Sequence, residues 1–278
     1  MKSALFFDID GTLRGRDRII PESTIRGISE AQAKGNLCFI NSGRPLCMVY
    51  ENCLEIPWDG ILAGGGSYIK MGDRVILDRE LPEDLVREMM AEMERLHILY
   101  QFQGRDWIAV PPSDPRGLRA AQIEMPAIII DPEDVSNVHA NKMCAMPTLE
   151  QMDGMREFGE RFKEYFQMIV LMHPQTKEEM EEIAKKGGWA SETGFVEMIP
   201  WGYNKGTSVV RVMEELGLPM SQSYIFGDAA NDLEMFEVAG TAICMGNGDD
   251  IAKSAADYVT DTILNDGIYK AMQHFDLV

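Results

Sequence analysis

The chain has 278 residues, of which 45% are hydrophobic and 26% charged, so it can bury the core of one large domain or two moderate ones. Its 45 acidic and 26 basic residues give a formal net charge of −19, which excludes the broad basic surface that nucleic acid or an anionic membrane requires. The five cysteines are scattered, no apolar run reaches the roughly 18 residues of a membrane span, and the N-terminus does not resemble a signal peptide, so we expect a reduced, cytoplasmic location.

The first third of the sequence alternates short apolar strands with helices. We predict strands at 4–7, 37–40 and 61–63. A helix is predicted over 21–34, because Pro21 suits a first turn and Gly35 follows the end. Pro45 predicts the start of a further helix.

The middle of the sequence has a different pattern. Helices are predicted over 83–96, 150–163 and 177–186, and apolar runs occur at 127–130, 142–146 and 167–172. We expect an α+β domain inserted at 83–195, with the core domain formed by 1–82 and 196–278.

The last third of the sequence again alternates short apolar strands with helices. Helices are predicted over 205–216 and 232–238, and strands over 223–226 and 241–245. Short apolar strands alternating with helices indicate an α/β core whose parallel sheet is covered on both faces.

Four polar segments follow predicted strands or begin the next helix. They are Asp8-Ile9-Asp10-Gly11-Thr12, Asn41-Ser42-Gly43-Arg44, Asn204-Lys205-Gly206 and Gly227-Asp228-Ala229-Ala230-Asn231-Asp232. In open α/β sheets this edge is where ligands bind. Asp8 and Asp10 point to the same side of an extended strand, so their charges need a proton or a divalent cation.

Each segment alone also has a purely structural explanation. The first could be an Asx-type turn, and Ser42 a helix N-cap rather than a phosphate-binding hydroxyl. Lys205 could be a surface lysine, and the acids after Gly227 could cap the next helix. The combination of all four segments favours a functional site.

In this order, the four segments resemble the four motifs of the haloacid dehalogenase superfamily of phosphotransferases. The insertion between the second and third motifs resembles the type IIB cap of the Cof-type branch. The resemblance spans the chain and implies a Rossmann-like three-layer core with an α+β cap. Two departures are Gly64-Gly65-Gly66, where Asn-Gly is common, and Arg14, where an apolar residue is common.

The resemblance also implies residue roles. Asp8 would be the nucleophile that forms an aspartyl-phosphate, and Asp10 would protonate the leaving group and then activate water. Lys205 would neutralise Asp8 and the phosphoryl oxygens. The substrate would be bound by Ser42, Gly43, Arg44, Lys205 and Asn231. Mg²⁺ would be held by Asp8, the backbone carbonyl of Asp10 and Asp228, while Asp232 would orient Lys205 or a metal-bound water.

The expected function is a Mg²⁺-dependent phosphatase acting on a small phosphorylated metabolite such as a sugar phosphate. A phosphomutase using the same aspartyl-phosphate and a catalytically idle binding or regulatory protein are the alternatives. A dinucleotide oxidoreductase is disfavoured because no GxGxxG follows the first strand. The four scattered histidines are interpreted as structural. Candidate cap residues for substrate choice are Arg105, Trp107, the 111–116 loop, Asn141 and Lys142, while the sequence does not predict the substrate or the oligomeric state.

Overall fold

The computed structural model describes residues 2–15, 17–114, 126–185 and 190–278. The chain divides into two compact units. The first comprises Met1–Arg44, Val49–Asp78 and Gly202–Val278, and the second comprises Pro45–Met48 and Arg79–Trp201. The second unit is therefore wider than the expected insertion at 83–195, because the strand Phe195–Pro200 pairs within its sheet.

Strands and helices have the following bounds. The strands are β1 (Ala4–Phe7), β2 (Leu37–Asn41), β3 (Gly60–Ala63), β4 (Tyr68–Met71), β5 (Arg74–Asp78), β6 (Leu99–Gly104), β7 (Ile108–Val110), β8 (Ala127–Ile129), β9 (Ala140–Met146), β10 (Phe166–Met172), β11 (Phe195–Pro200), β12 (Ser223–Gly227), β13 (Thr241–Cys244) and β14 (Tyr258–Val259). The helices are α1 (Glu22–Ala33), α2 (Glu51–Leu54), α3 (Glu83–Arg95), α4 (Met152–Arg161), α5 (Lys177–Lys185), α6 (Lys205–Leu216), α7 (Leu233–Val238), α8 (Asp250–Ala255) and α9 (Gly267–His274).

The first unit contains an eight-stranded sheet in the order β14-β13-β12-β1-β2-β3-β4-β5. The strands from β14 to β3 are parallel, as predicted, whereas β4 and β5 add an antiparallel hairpin at one edge that is not among the predicted strands. The expected α/β class with a Rossmann-like core is therefore confirmed, and the sheet is mixed rather than purely parallel.

Burial explains the central position of β1. All four of its residues are fully buried, and Phe6 stacks on Phe39 of β2 with 5.1 Å between ring centroids. The same cluster includes Val209 of α6 and Met235 of α7, which cover that face of the sheet. A central strand of this kind is apolar on both faces, so the polar side chains come only after it ends.

The second unit is α+β, with a six-stranded sheet in the order β10-β11-β9-β6-β7-β8. Its pairs are antiparallel except β7 with β8. Met89 and Met93 of α3 and Phe158 of α4 pack in its core. Helix α5 has no buried residue, consistent with its acidic sequence.

One local prediction differs from the structure, and several elements were not predicted. Pro45 does not begin an α-helix; a 3₁₀ turn at Leu46–Met48 and the short α2 follow it instead. The sequence also does not predict the strands β6, β7, β11 and β14 or the helices α8 and α9. The predicted end of α5 at Lys186 lies outside the described residues. All five cysteines are free thiols, and the described part of the chain has no helix that is long and apolar enough to cross a membrane.

Candidate functional site

The site lies at the carboxyl ends of three adjacent strands of the first unit. Parallel register aligns Phe7 at the end of β1 with Ile40 of β2 and Phe226 of β12. Asp8 continues this alignment, because its backbone N–H donates to the carbonyl of Phe226 at 3.0 Å. The polar segments that follow β1, β2 and β12 are therefore neighbours in space although they are distant in sequence.

A buried lysine joins two of these segments. The Nζ of Lys205 lies 2.6 Å from Oδ1 of Asp8 and 2.5 Å from Oδ1 of Asp232. The three side chains are 4%, 7% and 0% exposed, respectively. Lys205 is the first residue of α6, where the helix dipole disfavours a cation, so the two carboxylates must offset that effect. Asn41 fixes the backbone here by donating to the carbonyl of Lys205 at 3.0 Å.

Asp232 also organises the turn after β12. Its second oxygen accepts the backbone N–H groups of Asp228 at 2.8 Å and Ala229 at 3.1 Å. One carboxylate therefore holds both the ammonium of Lys205 and the backbone that presents Asp228. A charge-assisted network of this type is rigid because each oxygen has a fixed partner.

The charge in the site is unbalanced. Burial raises the pKa of Asp8 to about 7. The ammonium of Lys205 lowers this pKa, whereas the negative charges of Asp232 and Asp228 raise it further. Burial also raises the pKa of Asp228 to about 7, with Asp232 as the next cause. Burial disfavours the charged form of Lys205, but Asp232 and Asp8 more than compensate and raise the pKa of its ammonium. One lysine is thus shared by several carboxylates.

These carboxylates fit a divalent cation. One oxygen each of Asp8, Asp228 and Asp232 lies within 4.8 Å of the others. Both oxygens of Asp232 accept hydrogen bonds. In Asp8 and in Asp228, by contrast, one oxygen, Oδ1, accepts a hydrogen bond from a described side chain, and Oδ2 does not. Asp8 and Asp228 are therefore the carboxylates best placed to supply metal ligands, and hard cations prefer such oxygens.

Asp10 lies apart from this cluster. Its half-exposed carboxylate accepts hydrogen bonds from Arg44, from Nε at 2.5 Å and from a terminal nitrogen at 3.1 Å. Ser42 is buried, and its hydroxyl accepts the backbone N–H of Arg44 at 3.2 Å. Gly43 lies between these two residues, and Asn231 is exposed in the 3₁₀ turn before α7. The structure therefore brings the predicted residues to one sheet edge, with Asp10 on the Arg44 side.

Three residues with no predicted role contact the site. The hydroxyl of Thr12 donates to Oδ1 of Asp228 at 3.1 Å, and the side chain of Asn247 donates to the carbonyl of Gly11 at 2.7 Å. Tyr50 contacts Arg44 through its hydroxyl. The sequence could have indicated Asn247, because it lies between two glycines just after β13, at the same edge of the sheet as the other polar segments.

A cavity of about 810 Å³ opens beside Asp10 and Asp228 within the first unit. Its wall includes Asn247 and two apolar residues, Ile263 and Leu264. The volume is sufficient for a small organic ligand.

The predicted cap residues lie in the second unit. Arg105 pairs with the neighbouring Asp106, Trp107 donates to the carbonyl of Asn137, and Asn141 donates to the carbonyl of Arg79. Lys142 forms a buried ion pair with Glu197. Pro115 and Arg116 of the predicted loop lie outside the described residues. A role for these residues in substrate choice stays a prediction.

Known proteins are similar to this chain in sequence and in structure. A curated relative, the 5-amino-6-(5-phospho-D-ribitylamino)uracil phosphatase YcsE of Bacillus subtilis, is 27% identical over 97% of this chain and 94% of its own length. YkrA of the same organism, which carries a provisional phosphatase assignment, is 27% identical over 99% of this chain and 98% of its own. The solved structure of the subclass IIB sugar phosphatase BT4131 matches with a TM-score of 0.76 at 27% identity, covering both chains completely.

The family model described as haloacid dehalogenase-like hydrolase matches residues 5–272, which include all four polar segments. The chain therefore belongs to the haloacid dehalogenase-like hydrolase family, and it is an enzyme of the phosphatase class.

Proposed function

We propose that the chain is a Mg²⁺-dependent phosphatase that hydrolyses a small phosphorylated metabolite, such as a sugar phosphate, through an aspartyl-phosphate on Asp8. The buried ammonium of Lys205 between Asp8 and Asp232 is the observation that carries this proposal. A dianionic phosphoryl group can approach a cluster of aspartates only where cations offset the repulsion.

The first half-reaction transfers the phosphoryl group to the enzyme. An oxygen of Asp8 bonds to phosphorus while the bond from phosphorus to the leaving oxygen breaks. Asp10 donates a proton to that oxygen, so the leaving group departs as an alcohol.

The second half-reaction regenerates the carboxylate. Water gives a proton to Asp10 and bonds to phosphorus, the bond between Asp8 and phosphorus breaks, and inorganic phosphate leaves. Ser42, Gly43, Arg44 and Asn231 would bind phosphoryl oxygens during both steps. Lys205 stabilises the negative charge, and Asp232 orients Lys205.

Asp8, the backbone carbonyl of Asp10 and Asp228 would hold the metal. When bound, Mg²⁺ would supply positive charge to the phosphoryl oxygens. The raised pKa values of Asp8 and Asp228 support this assignment, because a cation would favour the ionised form of both groups.

Relatives support the substrate class. The names of YcsE and BT4131 record a phosphoribitylaminouracil and a sugar phosphate, respectively, and both compounds are small phosphomonoesters. A net charge of −19 disfavours nucleic acid as a partner. The five free thiols are consistent with a cytoplasmic location.

A screen of phosphorylated metabolites with Mg²⁺, read out as phosphate release, tests the proposal. We expect EDTA to stop release and added Mg²⁺ to restore it. Lys205→Met should lower kcat/KM by about 100-fold or more, as expected for loss of one charge-stabilising donor. Lys163→Met is the matched control, because Lys163 also pairs with a carboxylate, that of Glu160, but at an exposed position.

Release that continues unchanged in EDTA would contradict the metal assignment. Conversion of a substrate to a positional isomer, followed by ³¹P NMR without phosphate release, would instead identify the phosphomutase. No conversion of any compound would favour a binding protein.

A further inference from the structure

The cavity of about 810 Å³ in the first unit begins beside the proposed phosphoryl site. Asp10, Gly11 and Asp228 line one part of its wall. An oxygen of Asp228 lies within 4.8 Å of an oxygen of Asp8, so the cavity and the proposed nucleophile are close together. A phosphoester held at Asp8 therefore has room for its alcohol portion in this cavity.

Another part of the cavity wall is apolar. It is formed by the 3₁₀ turn Ile263–Asn265, of which Ile263 and Leu264 line the cavity. Ile263 is 7% exposed and anchors the turn, whereas Leu264 is 75% exposed, the highest value among the large hydrophobic side chains of the described residues. A single exposed leucine is common on protein surfaces, but this one borders a cavity that begins at charged side chains. An apolar group bound there would shield Leu264 from water.

The apolar turn is held against the turn that follows β1. Asn247 connects the two, because its side-chain nitrogen donates to the carbonyl of Gly11 at 2.7 Å and its side-chain oxygen accepts the backbone N–H of Ile263 at 3.0 Å. A Cβ at Gly15 would lie 3.9 Å from Cδ1 of Ile263, so the two segments also approach in van der Waals contact. The wall that carries Leu264 is therefore fixed before a ligand binds, which lowers the entropic cost of binding.

The charged side chains of the cavity favour a ligand portion without negative charge. The lining includes the carboxylates of Asp17 and Asp228, which would repel a second anionic group on the substrate. Arg14 also lines the cavity, but its guanidinium stacks on the Tyr50 ring, with 3.5 Å between the central carbon and the ring centroid. The guanidinium carbon of Arg44 lies 4.2 Å from the same centroid. An uncharged alcohol portion therefore fits this cavity better than one that carries a carboxylate or a second phosphate.

We propose that Leu264 is a specificity-determining residue that packs against an apolar, uncharged part of the leaving alcohol. The favoured substrate is then a phosphomonoester whose alcohol carries an alkyl or aromatic segment. This inference rests on the proposed function, in which the phosphoryl group binds at Asp8, and it narrows the substrate class. Leu264 itself takes no part in breaking or forming bonds.

The test compares ethyl phosphate with hexyl phosphate in the presence of Mg²⁺. Their leaving alcohols have nearly equal acidity, so the two esters differ mainly in apolar surface. We measure the ratio of kcat/KM for hexyl phosphate to kcat/KM for ethyl phosphate, because this ratio does not depend on the fraction of enzyme that is folded. The wild-type ratio should be about ten or more, since the additional methylene groups leave water when they enter the cavity.

Three variants assign this preference to one side chain. Leu264→Ser should lower the ratio at least about threefold, because the shorter polar side chain no longer packs against the hexyl chain. Leu264→Met keeps an apolar side chain of similar volume and should retain the wild-type ratio. Leu54→Ser is the matched control, because Leu54 is also an exposed leucine of the first unit but lines a different cavity, of about 240 Å³.

A wild-type preference for hexyl phosphate that falls in Leu264→Ser, but not in Leu264→Met or Leu54→Ser, supports the inference. Equal kcat/KM values for both esters in wild type overturn the inference and leave the proposed function intact. A preference that is unchanged in Leu264→Ser, or reduced equally in Leu264→Met or Leu54→Ser, overturns it as well. Hydrolysis of neither ester also overturns it, whereas phosphate release from a sugar phosphate in the metabolite screen would still support the proposed function.

Discussion

Asp228 shows how a single residue links the site to stability. Its pKa is raised from 3.8 to about 7, first by burial and then by the charge of Asp232. A raised carboxyl pKa means that the folded state binds a proton more tightly than the unfolded chain does. The resulting penalty on folding is absent below about pH 4, grows as pH rises, and is complete above about pH 7.

We therefore expect Asp228→Asn to raise the melting temperature of the metal-free protein at pH 8, by about 2–4 °C for each kcal/mol regained. The rise should be smaller at pH 5, where the wild-type carboxyl is already protonated. In wild type, Mg²⁺ should raise the melting temperature at pH 8, because it stabilises the folded state to which it binds. Asp228→Asn should lose this response.

Asp73→Asn is the control for this measurement, since it makes the same chemical change at an exposed turn. A lower melting temperature for Asp228→Asn at pH 8, or an unchanged response to Mg²⁺, would show that Asp228 does not carry this charge penalty.

At the scale of the element, the turn between β1 and α1 depends on close backbone approach. Gly11 has φ of +93°, and a Cβ at this position would lie 2.0 Å from Oδ2 of Asp228. Gly35, after α1, has nearly the same φ of +91° but no atom within 4 Å of its Cβ position. Substitutions at these two glycines therefore distinguish the effect of backbone strain, which both share, from the effect of crowding Asp228, which only Gly11 has.

Gly11→Ala and Gly35→Ala should each lower the free energy of unfolding by about 1–3 kcal/mol, because both place a side chain at positive φ. Only Gly11→Ala should also lose Mg²⁺-dependent turnover, because its methyl group displaces the Asp228 carboxylate. Chemical denaturation and phosphate release measure the two effects separately. Full turnover in Gly11→Ala would mean that Asp228 need not occupy its observed position.

The elements differ in how far the sequence predicts them. The buried strands β1, β2 and β12 are continuous apolar runs, so their ends and the acids that follow were identifiable. Strand β6 alternates Tyr100 and Phe102 with Gln101 and Gln103, so it lacks the continuous apolar run that identifies the buried parallel strands. The hairpin of β4 and β5 was missed although Gly72 and Asp73 form a typical two-residue hairpin connection.

At the scale of the whole molecule, the site is assembled from distant parts of the chain. Asp8 and Lys205 are 197 residues apart, yet their charged atoms lie 2.6 Å apart. Parallel strand order makes this possible, because β12 returns beside β1 after the inserted unit. The parallel strand topology that the resemblance implies therefore predicts that the four polar segments meet at one edge of the sheet.

Side-chain packing was not predictable in the same way. Nothing in the local sequence around Tyr50 shows that two arginines from different segments contact its ring. The orientation of the Asp10 carboxylate toward Arg44 likewise depends on tertiary contacts rather than on strand period. Such contacts are long-range, so they follow from the folded structure and not from spacing.

The central claim is that Asp8 attacks phosphorus, and trapping the intermediate tests it most directly. The enzyme is quenched with acid during turnover with Mg²⁺ and substrate, digested, and its peptides are measured by mass spectrometry. We predict that the peptide containing Asp8 gains the mass of one phosphoryl group, and that Asp8→Asn shows neither this gain nor turnover while remaining folded. Turnover at the wild-type rate in Asp8→Asn, or a phosphoryl group on a different residue, would contradict the account.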